Sequence, residues 1–271
     1  MIYDCFPFFN ELELLDIRLN ILNDIVDRFV IVEAKKTHSN DDKFLFFDEN
    51  KSMFDKFSNK IMHIIVDDFP EWNGDPWVYE KFQRAAIMRG LEKCENDDII
   101  IISDLDEIPK PNMLKKIVDK KTNNKIFVFK SILYRYYLNY EVINAGDWIL
   151  GPRLVNYNTI KRVGLESIRF YESVFGGRNK DVVYLENAGW HWGYLGGAER
   201  IHYKMISFAH SKPYRHSVLN KDNSNKYIKE SENKEYKIIN MDDKYHDFPK
   251  YILDNSTKFD KLIVEPNNWK F

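Results

Sequence analysis

Four consecutive isoleucines, Ile99 to Ile102, run directly into Ser103-Asp104-Leu105-Asp106-Glu107-Ile108-Pro109. β-Branched side chains fit a pleated surface, and an unbroken apolar run leaves no face for water, so the run predicts a strand buried on both faces in mid-sheet. Three acids and the prolines Pro109 and Pro111 end that strand and leave carboxylates at its C-terminal end. In open α/β sheets that edge is where ligands bind. Asp104 and Asp106 are two apart, so in extended backbone they point the same way and can share one hard cation, or a polyphosphate bound through it. The alternative is a polar strand-end turn, where Asp is common for its own reasons.

The chain before this point alternates. Ile2 to Phe6 reads as a strand, Asn10 and Glu13 as a capping box, and Leu12, Leu15, Leu19 and Leu22 as the apolar stripe of a helix ending near Asp24. Arg28 to Ala34 is a second buried strand, followed by the polar segment Lys35 to Asp42 over the same edge as Asp104. Phe44 to Phe47 is expected to pair briefly, Ile61 to Val66 forms a third strand, and Asp75 caps a helix from Pro76 to about Lys93. Strand, helix, strand, strand, helix, strand is an α/β pattern with a mixed, mostly parallel central sheet.

After the acids, Met113 to Val118 reads as a short helix and Ile126 to Leu138 as strand-rich. Asn144 to Gly197 is rich in glycine and aromatics with weak periodicity, which predicts irregular loops over a site. Glu199 to Phe208 is expected to be helical, Lys212 to Lys244 polar and peripheral, and Pro249 to Leu253 and Leu262 to Val264 packed.

Composition narrows the function. The 271 residues are long enough for one large domain, and a net charge of −2 argues against a nucleic-acid binder working by phosphate neutralisation. Aromatics reach 15%, and Tyr and Trp beyond the needs of a core often line sites for sugars or nucleobases. Only Cys5 and Cys94 are present, so no disulfide framework or cysteine zinc site can form. The sequence shows no signal peptide and no run of the roughly 20 apolar residues a transmembrane segment needs, giving the expectation of a soluble protein of the cytoplasm or another reducing compartment.

Five stretches, in order, resemble one family: Tyr3-Asp4-Cys5-Phe6-Pro7-Phe8-Phe9-Asn10-Glu11, Phe29-Val30-Ile31-Val32-Glu33-Ala34, Phe82-Gln83-Arg84, Ser103 to Pro109, and Ala188-Gly189-Trp190-His191. Together they look like glycosyltransferase family 17, whose best-known members add the bisecting GlcNAc to N-glycans. The likeness runs from residue 1 to about Asn255. It implies a GT-A-type, Rossmann-like fold over residues 1–271, with a nucleotide-sugar half (1–110), an acceptor and catalytic half (111–211) and a peripheral C-terminal segment (212–271). It also implies a hexosyltransferase that inverts the anomeric carbon, a nucleotide-sugar donor such as UDP-GlcNAc, a glycan acceptor, and Mn²⁺ or Mg²⁺.

Under this resemblance Asp106 binds the metal, Asp104 holds the metal, the ribose or a metal-bound water, and His191 adds a ligand from the second half. His202 and His210 are its alternatives. Arg84 and Lys204 face the diphosphate, and Gln83 and Glu33 belong to the donor site, Glu33 either on ribose or base or as a loop cap. Glu107 is expected to salt-bridge within the turn. Chemistry agrees: a cation with Lys or Arg stabilises a departing nucleoside diphosphate, and one imidazole beside carboxylates shifts preference toward Mn²⁺. A separate general base must then serve the acceptor hydroxyl. Glu199 is the first choice, opening a helix beyond the Gly193 to Gly197 loop, with Asp147 and Glu166 behind it.

Animal members of the family carry a membrane anchor and stem that this sequence does not show, which opens glycan pathways other than N-glycan bisection. Two other readings compete. A haloacid-dehalogenase-like phosphatase also places Asp-x-Asp after an apolar strand, with Asp104 as nucleophile, although there the motif normally sits on the first strand. The other is a non-catalytic glycan- or nucleotide-binding module on a GT-A scaffold.

Overall fold

The structure is a computed structural model that describes residues 1–119, 125–169, 181–209, 235–243 and 247–264. Its strands are β1 (Ile2–Phe8), β2 (Arg28–Ala34), β3 (Ile61–Val66), β4 (Ile99–Ile102), β5 (Glu107–Pro109), β6 (Ile126–Arg135), β7 (Tyr140–Val142), β8 (Arg153–Asn156), β9 (Val182–Gly193) and β10 (Tyr236–Ile238). They form one sheet in the order β10-β7-β6-β8-β4-β1-β2-β3, with β9 on the other edge of β6 and β5 against β9.

The isoleucine run is the mid-sheet strand expected. It pairs in parallel with β1 and antiparallel with β8, and Ile100, Ile101 and Ile102 are all 0% exposed. Side chains alternate across a strand. Ile101 therefore packs with Phe6, Leu15 and Phe29 on one face, and Ile100 and Ile102 pack with Val30, Val32 and Ile87 on the other. The Leu12–Leu22 helix covers the first face, and the Pro76–Ala85 and Ile87–Gly90 helices cover the second.

β3-β2-β1-β4 is an all-parallel block in the strand order of a mononucleotide-binding half-sheet. The chain leaves β1 toward β2 and later returns to its other side as β4, so the switch point lies between the ends of β1 and β4. Antiparallel pairing begins with β8, which ties the second half of the chain onto the same sheet.

Several local expectations are corrected. The helix after Asp75 breaks at Ala86 and ends by Gly90, where a Cβ would lie 2.5 Å from Val30 Cγ1 and only glycine lets helix and strand approach. No capping box forms: the Leu12–Leu22 helix has no side-chain cap, and Glu13 instead takes two hydrogen bonds from Arg200. Phe46–Glu49 is a helical turn rather than a paired strand, because the Glu33 carboxylate accepts the N–H groups of Phe47 and Asp48.

The described residues of the 144–197 region are mostly regular, with an irregular stretch before β8 that carries Trp148 and Leu150 to a cavity. The region holds β8, two short helices (Tyr157–Val163 and Leu165–Arg169) and the twelve-residue β9. β9 lacks a clean period because it begins partly exposed and ends buried, between β6 and β5. In the expected peripheral segment, the described β10 adds to the sheet, and Phe248, Ile252, Phe259 and Leu262 are buried in the core beneath the first helix. Among the described residues no helix is long and apolar enough to cross a membrane.

Candidate active site

A cavity of about 390 Å³ opens at the switch point. Pro7, Phe8 and Phe9 at the end of β1 and Asp104 to Glu107 after β4 line it from the first half of the chain. Trp148, Arg169, His191, Tyr194 and Lys204 line it from the second.

The acid turn is held from below by a residue that sequence reasoning missed. Arg18, on the first helix and 0% exposed, forms a two-point ion pair with Asp4 of β1 at 2.8 and 2.6 Å. Its remaining N–H groups donate to the carbonyls of Asp104, Leu105 and Glu107 at 2.9, 3.1 and 2.8 Å and to Ser103 Oγ at 2.6 Å. One guanidinium thus fixes both the strand end and the turn that carries the acids. The signal was available: Arg18 interrupts the apolar stripe of its helix, and Asp4 interrupts an apolar strand. Two opposite charges in apolar settings are buried as a pair or not at all.

Each acid of the turn meets at least one cation, and Arg169 serves two of them. Asp104 accepts from Arg84 at 2.8 Å on one oxygen and from Arg169 at 2.9 Å on the other. Desolvation alone would raise the Asp104 carboxyl, but the two guanidiniums override it and hold it well below the usual carboxylate range. Glu107 is 1% exposed and accepts from Arg169 at 2.9 Å, Trp148 Nε1 at 2.8 Å and the Asp104 N–H at 2.9 Å; it closes the turn through the N–H, but its salt bridge is to the remote Arg169 rather than within the turn. Arg169 also donates to the Leu150 and Gly151 carbonyls. Sequence gave no sign of it, since its partners lie in remote loops.

Asp106 is arranged differently. One oxygen accepts from Lys204 at 3.0 Å, while the other lies 3.8 Å from His191 Nε2, too far for a hydrogen bond. Burial raises the Asp106 carboxyl, and Lys204 and His191 together bring it below its ordinary value. Lys204 itself is pushed down by burial but held higher by Asp106 and Glu11, whose Oε1 it reaches at 3.1 Å. His191 is lowered by burial, which Asp106 only partly offsets, so the imidazole is neutral at neutral pH. Trp148 lies over it with ring centroids 4.5 Å apart, and its Nδ1 is buried without a hydrogen-bond partner.

β pairing brings His191 here. Glu107 is opposite His191 and Ile108 opposite Trp190 in the β5–β9 ladder. Gly189 belongs to the same motif because a Cβ there would meet Ser131 Oγ at 2.5 Å and the Ile108 carbonyl at 2.9 Å.

The remaining sequence-predicted residues divide. Gln83 lines the cavity as a bracket: its amide N–H groups donate to the Val32 and Phe8 carbonyls at 2.9 and 3.4 Å, and its Oε1 meets His38 Nε2 at 2.9 Å. Glu33 takes the loop-cap alternative, which corrects its place in the donor site. It is 0% exposed, caps the Phe46–Glu49 turn and meets His63 at 3.0 Å, so it offers nothing to a donor. Glu199 sits exposed on the first turn of the Gly197–Ser207 helix and does not line the cavity. Asp147 and Glu166 lie outside it too, 3.8 Å from Lys130 and Lys81 respectively. His202 is not at the cavity, and His210 lies outside the described residues.

Among the described residues no three His, Cys, Asp or Glu side chains form a ready-made metal cluster. Asp104 has both oxygens on arginines, which leaves Asp106 Oδ1 and His191 Nε2 as the pair fit for a cation. One carboxylate and one neutral imidazole suit Mn²⁺ or Mg²⁺ when phosphate oxygens and water complete the shell.

The sequence pattern of glycosyltransferase family 17 matches residues 1–264. The beta-1,4-mannosyl-glycoprotein 4-beta-N-acetylglucosaminyltransferase of Homo sapiens is 24% identical over 291 aligned positions, covering 95% of this chain and 54% of its own length. The Rattus norvegicus protein of the same name is also 24% identical, with 95% and 53% covered. The chain thus spans about half the length of the curated relatives it matches. Among solved structures it is similar to S. aureus TarS 1-349, with 12% identity, 85% of this chain and 72% of that one covered and a TM-score of 0.43. It is also similar to the galactosyltransferase LgtC, with 14% identity, 80% and 82% covered and a TM-score of 0.35. By the match across nearly all of its length, the chain belongs to glycosyltransferase family 17.

Proposed function

We propose that the chain is an inverting glycosyltransferase that takes GlcNAc from UDP-GlcNAc and passes it to a glycan hydroxyl, with Mn²⁺ or Mg²⁺ as cofactor. The observation that carries this reading is the convergence of Lys204 and His191, from two separate elements of the second half, on Asp106 at the switch-point cavity. An ammonium has three N–H donors, and Lys204 spends two of them on Asp106 and Glu11. The third serves a diphosphate oxygen.

Asp106 and His191 would hold the cation, which when bound neutralises charge on the departing diphosphate. Arg84 and Arg169 keep Asp104 ionised and fixed, so its carboxylate is set to accept from a ribose hydroxyl or a bound water. Trp77, Phe9, Trp148, Tyr194 and Phe208 give the cavity walls on which sugar or base faces can stack. The same geometry disfavours a phosphatase: a nucleophilic Asp104 would need an unencumbered oxygen, and both of its oxygens are held by guanidiniums.

The test is a panel of UDP- and GDP-sugars assayed for Mn²⁺-dependent cleavage. UDP-GlcNAc is expected to turn over, and Asp106→Ala to lose at least about a hundredfold in rate. Full activity in Asp106→Ala refutes the site. UDP binding without cleavage of any donor returns the binding-module reading, and release of phosphate from a simple phosphomonoester returns the phosphatase.

A further inference from the structure

Residues 143–147 and Ile149 are exposed, yet the same stretch turns two side chains inward. Trp148 and Leu150 line the cavity while Asp147 and Ile149 stay outside it, the two-residue alternation of extended backbone. The surrounding fold holds the stretch in that shape. The Trp148 N–H and carbonyl are both bonded to Ser131 of β6, at 2.8 and 3.1 Å. Arg153, 0% exposed, donates to the Ile149 and Gly151 carbonyls at 3.0 and 2.6 Å, and Arg169 adds bonds to the Leu150 and Gly151 carbonyls. Gly151 admits the close approach, since a Cβ there would meet the Phe129 carbonyl at 2.5 Å. Desolvating a guanidinium is costly, and both of these buried arginines direct N–H groups at consecutive carbonyls of one short stretch.

What that backbone presents to the cavity is an indole. Its Nε1–H, the single polar group of the side chain, donates to Glu107 Oε1 at 2.8 Å, which leaves only apolar ring surface for a ligand. The ring is partly exposed and lies against His191, with centroids 4.5 Å apart and planes tilted by 41°. His191 Nε2 is in turn 3.8 Å from Asp106, and these two are the pair fit for a cation. The indole therefore stands beside the point where a cation would meet the diphosphate. In a sugar nucleotide the transferred sugar is bonded directly to one of those phosphates, and the base is set back by the ribose. Ribose offers hydroxyls, which suit a carboxylate such as Asp104. A pyranose offers a C–H face, which suits an aromatic wall with no free polar group.

Building on the transferase reading above, we infer that Trp148 forms the subsite for the transferred sugar, its ring stacking on the C–H face of the pyranose. Leu150, on the same side of the stretch, extends the apolar wall. The nucleotide then binds independently of this ring, and the sugar does not.

Trp148→Ala and Trp148→Phe test this by separating the two parts of the donor. Calorimetry with UDP and Mn²⁺ reads the nucleotide end, and initial rates of UDP release from UDP-GlcNAc read the whole donor. Trp148→Ala is expected to bind UDP within about twofold of the wild type and to lose about tenfold or more in kcat/KM for UDP-GlcNAc. Trp148→Phe, which keeps a ring but gives up the bond to Glu107, is expected to recover part of that loss. Circular dichroism checks the fold, and Trp148→Leu, which fills the space without a ring, replaces Trp148→Ala with the same expectation if the alanine protein does not fold. The assignment is overturned if UDP affinity falls in step with kcat/KM in a folded variant, which places the ring against the nucleotide. It is equally overturned if the ringless variant keeps kcat/KM within about twofold, or if Trp148→Phe is as impaired as that variant. A wild type that binds UDP but cleaves no sugar nucleotide removes the transferase reading and this assignment together, whereas normal wild-type turnover with an unaffected ringless variant removes only the assignment.

Discussion

Replacing Lys43 by methionine should stabilise this protein at neutral pH. The Lys43 side chain is 2% exposed, its Nζ lies 3.8 Å from Glu33 and donates to the Phe44 carbonyl at 3.1 Å, and the rings of Phe9 and Phe46 are 5.6 Å away. Burial drives the ammonium down to about 8 from an ordinary 10.5, and the attraction of Glu33 and Glu11 recovers only part. A drop of that size corresponds to about 3 kcal/mol of disfavoured charge. Below pH 8 the lysine is charged both folded and unfolded, so the folded protein carries the whole cost. Between pH 8 and about 10.5 the unfolded chain binds the proton and the folded chain does not, and stability rises with pH through that window. Lys43→Met, similar in length and uncharged, should therefore be more stable than the wild type by about 3 kcal/mol at pH 7. The gap should have all but closed by about pH 10.5, where Lys43 is neutral in the folded protein and half neutral in the unfolded chain. Urea titrations of both proteins at half-unit intervals from pH 7 to 10.5 measure the gap. A Lys43→Met protein less stable at pH 7, or a gap that does not change with pH, would refute the reasoning.

Arg18→Met should cost about 3–5 kcal/mol or abolish folding, because it leaves the Asp4 carboxylate buried and three turn carbonyls without their donor; equilibrium unfolding checks it, and a loss below about 1 kcal/mol contradicts the scaffold role. Asp104 is held below the carboxylate range, so its ion pairs contribute above about pH 4 and are lost as the pH falls lower. Asp104→Asn should accordingly lose stability at pH 7 and show a shallower acid limb below pH 4, followed by circular dichroism; a parallel limb would be the contrary outcome. Chelation of divalent cations should leave a single cooperative thermal transition, since internal cations already balance the acid turn, and an unfolded or molten chelated protein would contradict that.

The parallel half of the fold was readable because all but its edge strand β3 are buried on both faces, and continuous apolar runs such as Phe29 to Val32 and Ile99 to Ile102 announce themselves. β9 was not, because its first half is partly exposed and its pairing with β5 and β6 depends on contacts far away in the chain. The same division applies to the site. Asp104 and Asp106 stand at a strand end that local pattern identifies, and His191 came from a family motif. Arg169 gained its place only from what folding sets opposite it. Glu33 shows the reverse case: an acid at the end of a strand fits a ligand contact or a loop cap equally well by local pattern, and two backbone N–H groups and a histidine decide for the cap.

The acid turn also explains why fold and site cannot be separated here. Like charges about 5 Å apart repel by about 3 kcal/mol at an effective dielectric of 20, so three carboxylates in four residues would open the turn unless countered. Arg84 comes from the helix before β4, Arg169 from the short helix after β8, and Lys204 from the helix after β9. Each cation belongs to an element that must already be packed on the sheet. Closing the turn therefore requires both halves of the chain, and the closure that satisfies the acids also brings Glu11 and Asp106 to opposite sides of one lysine.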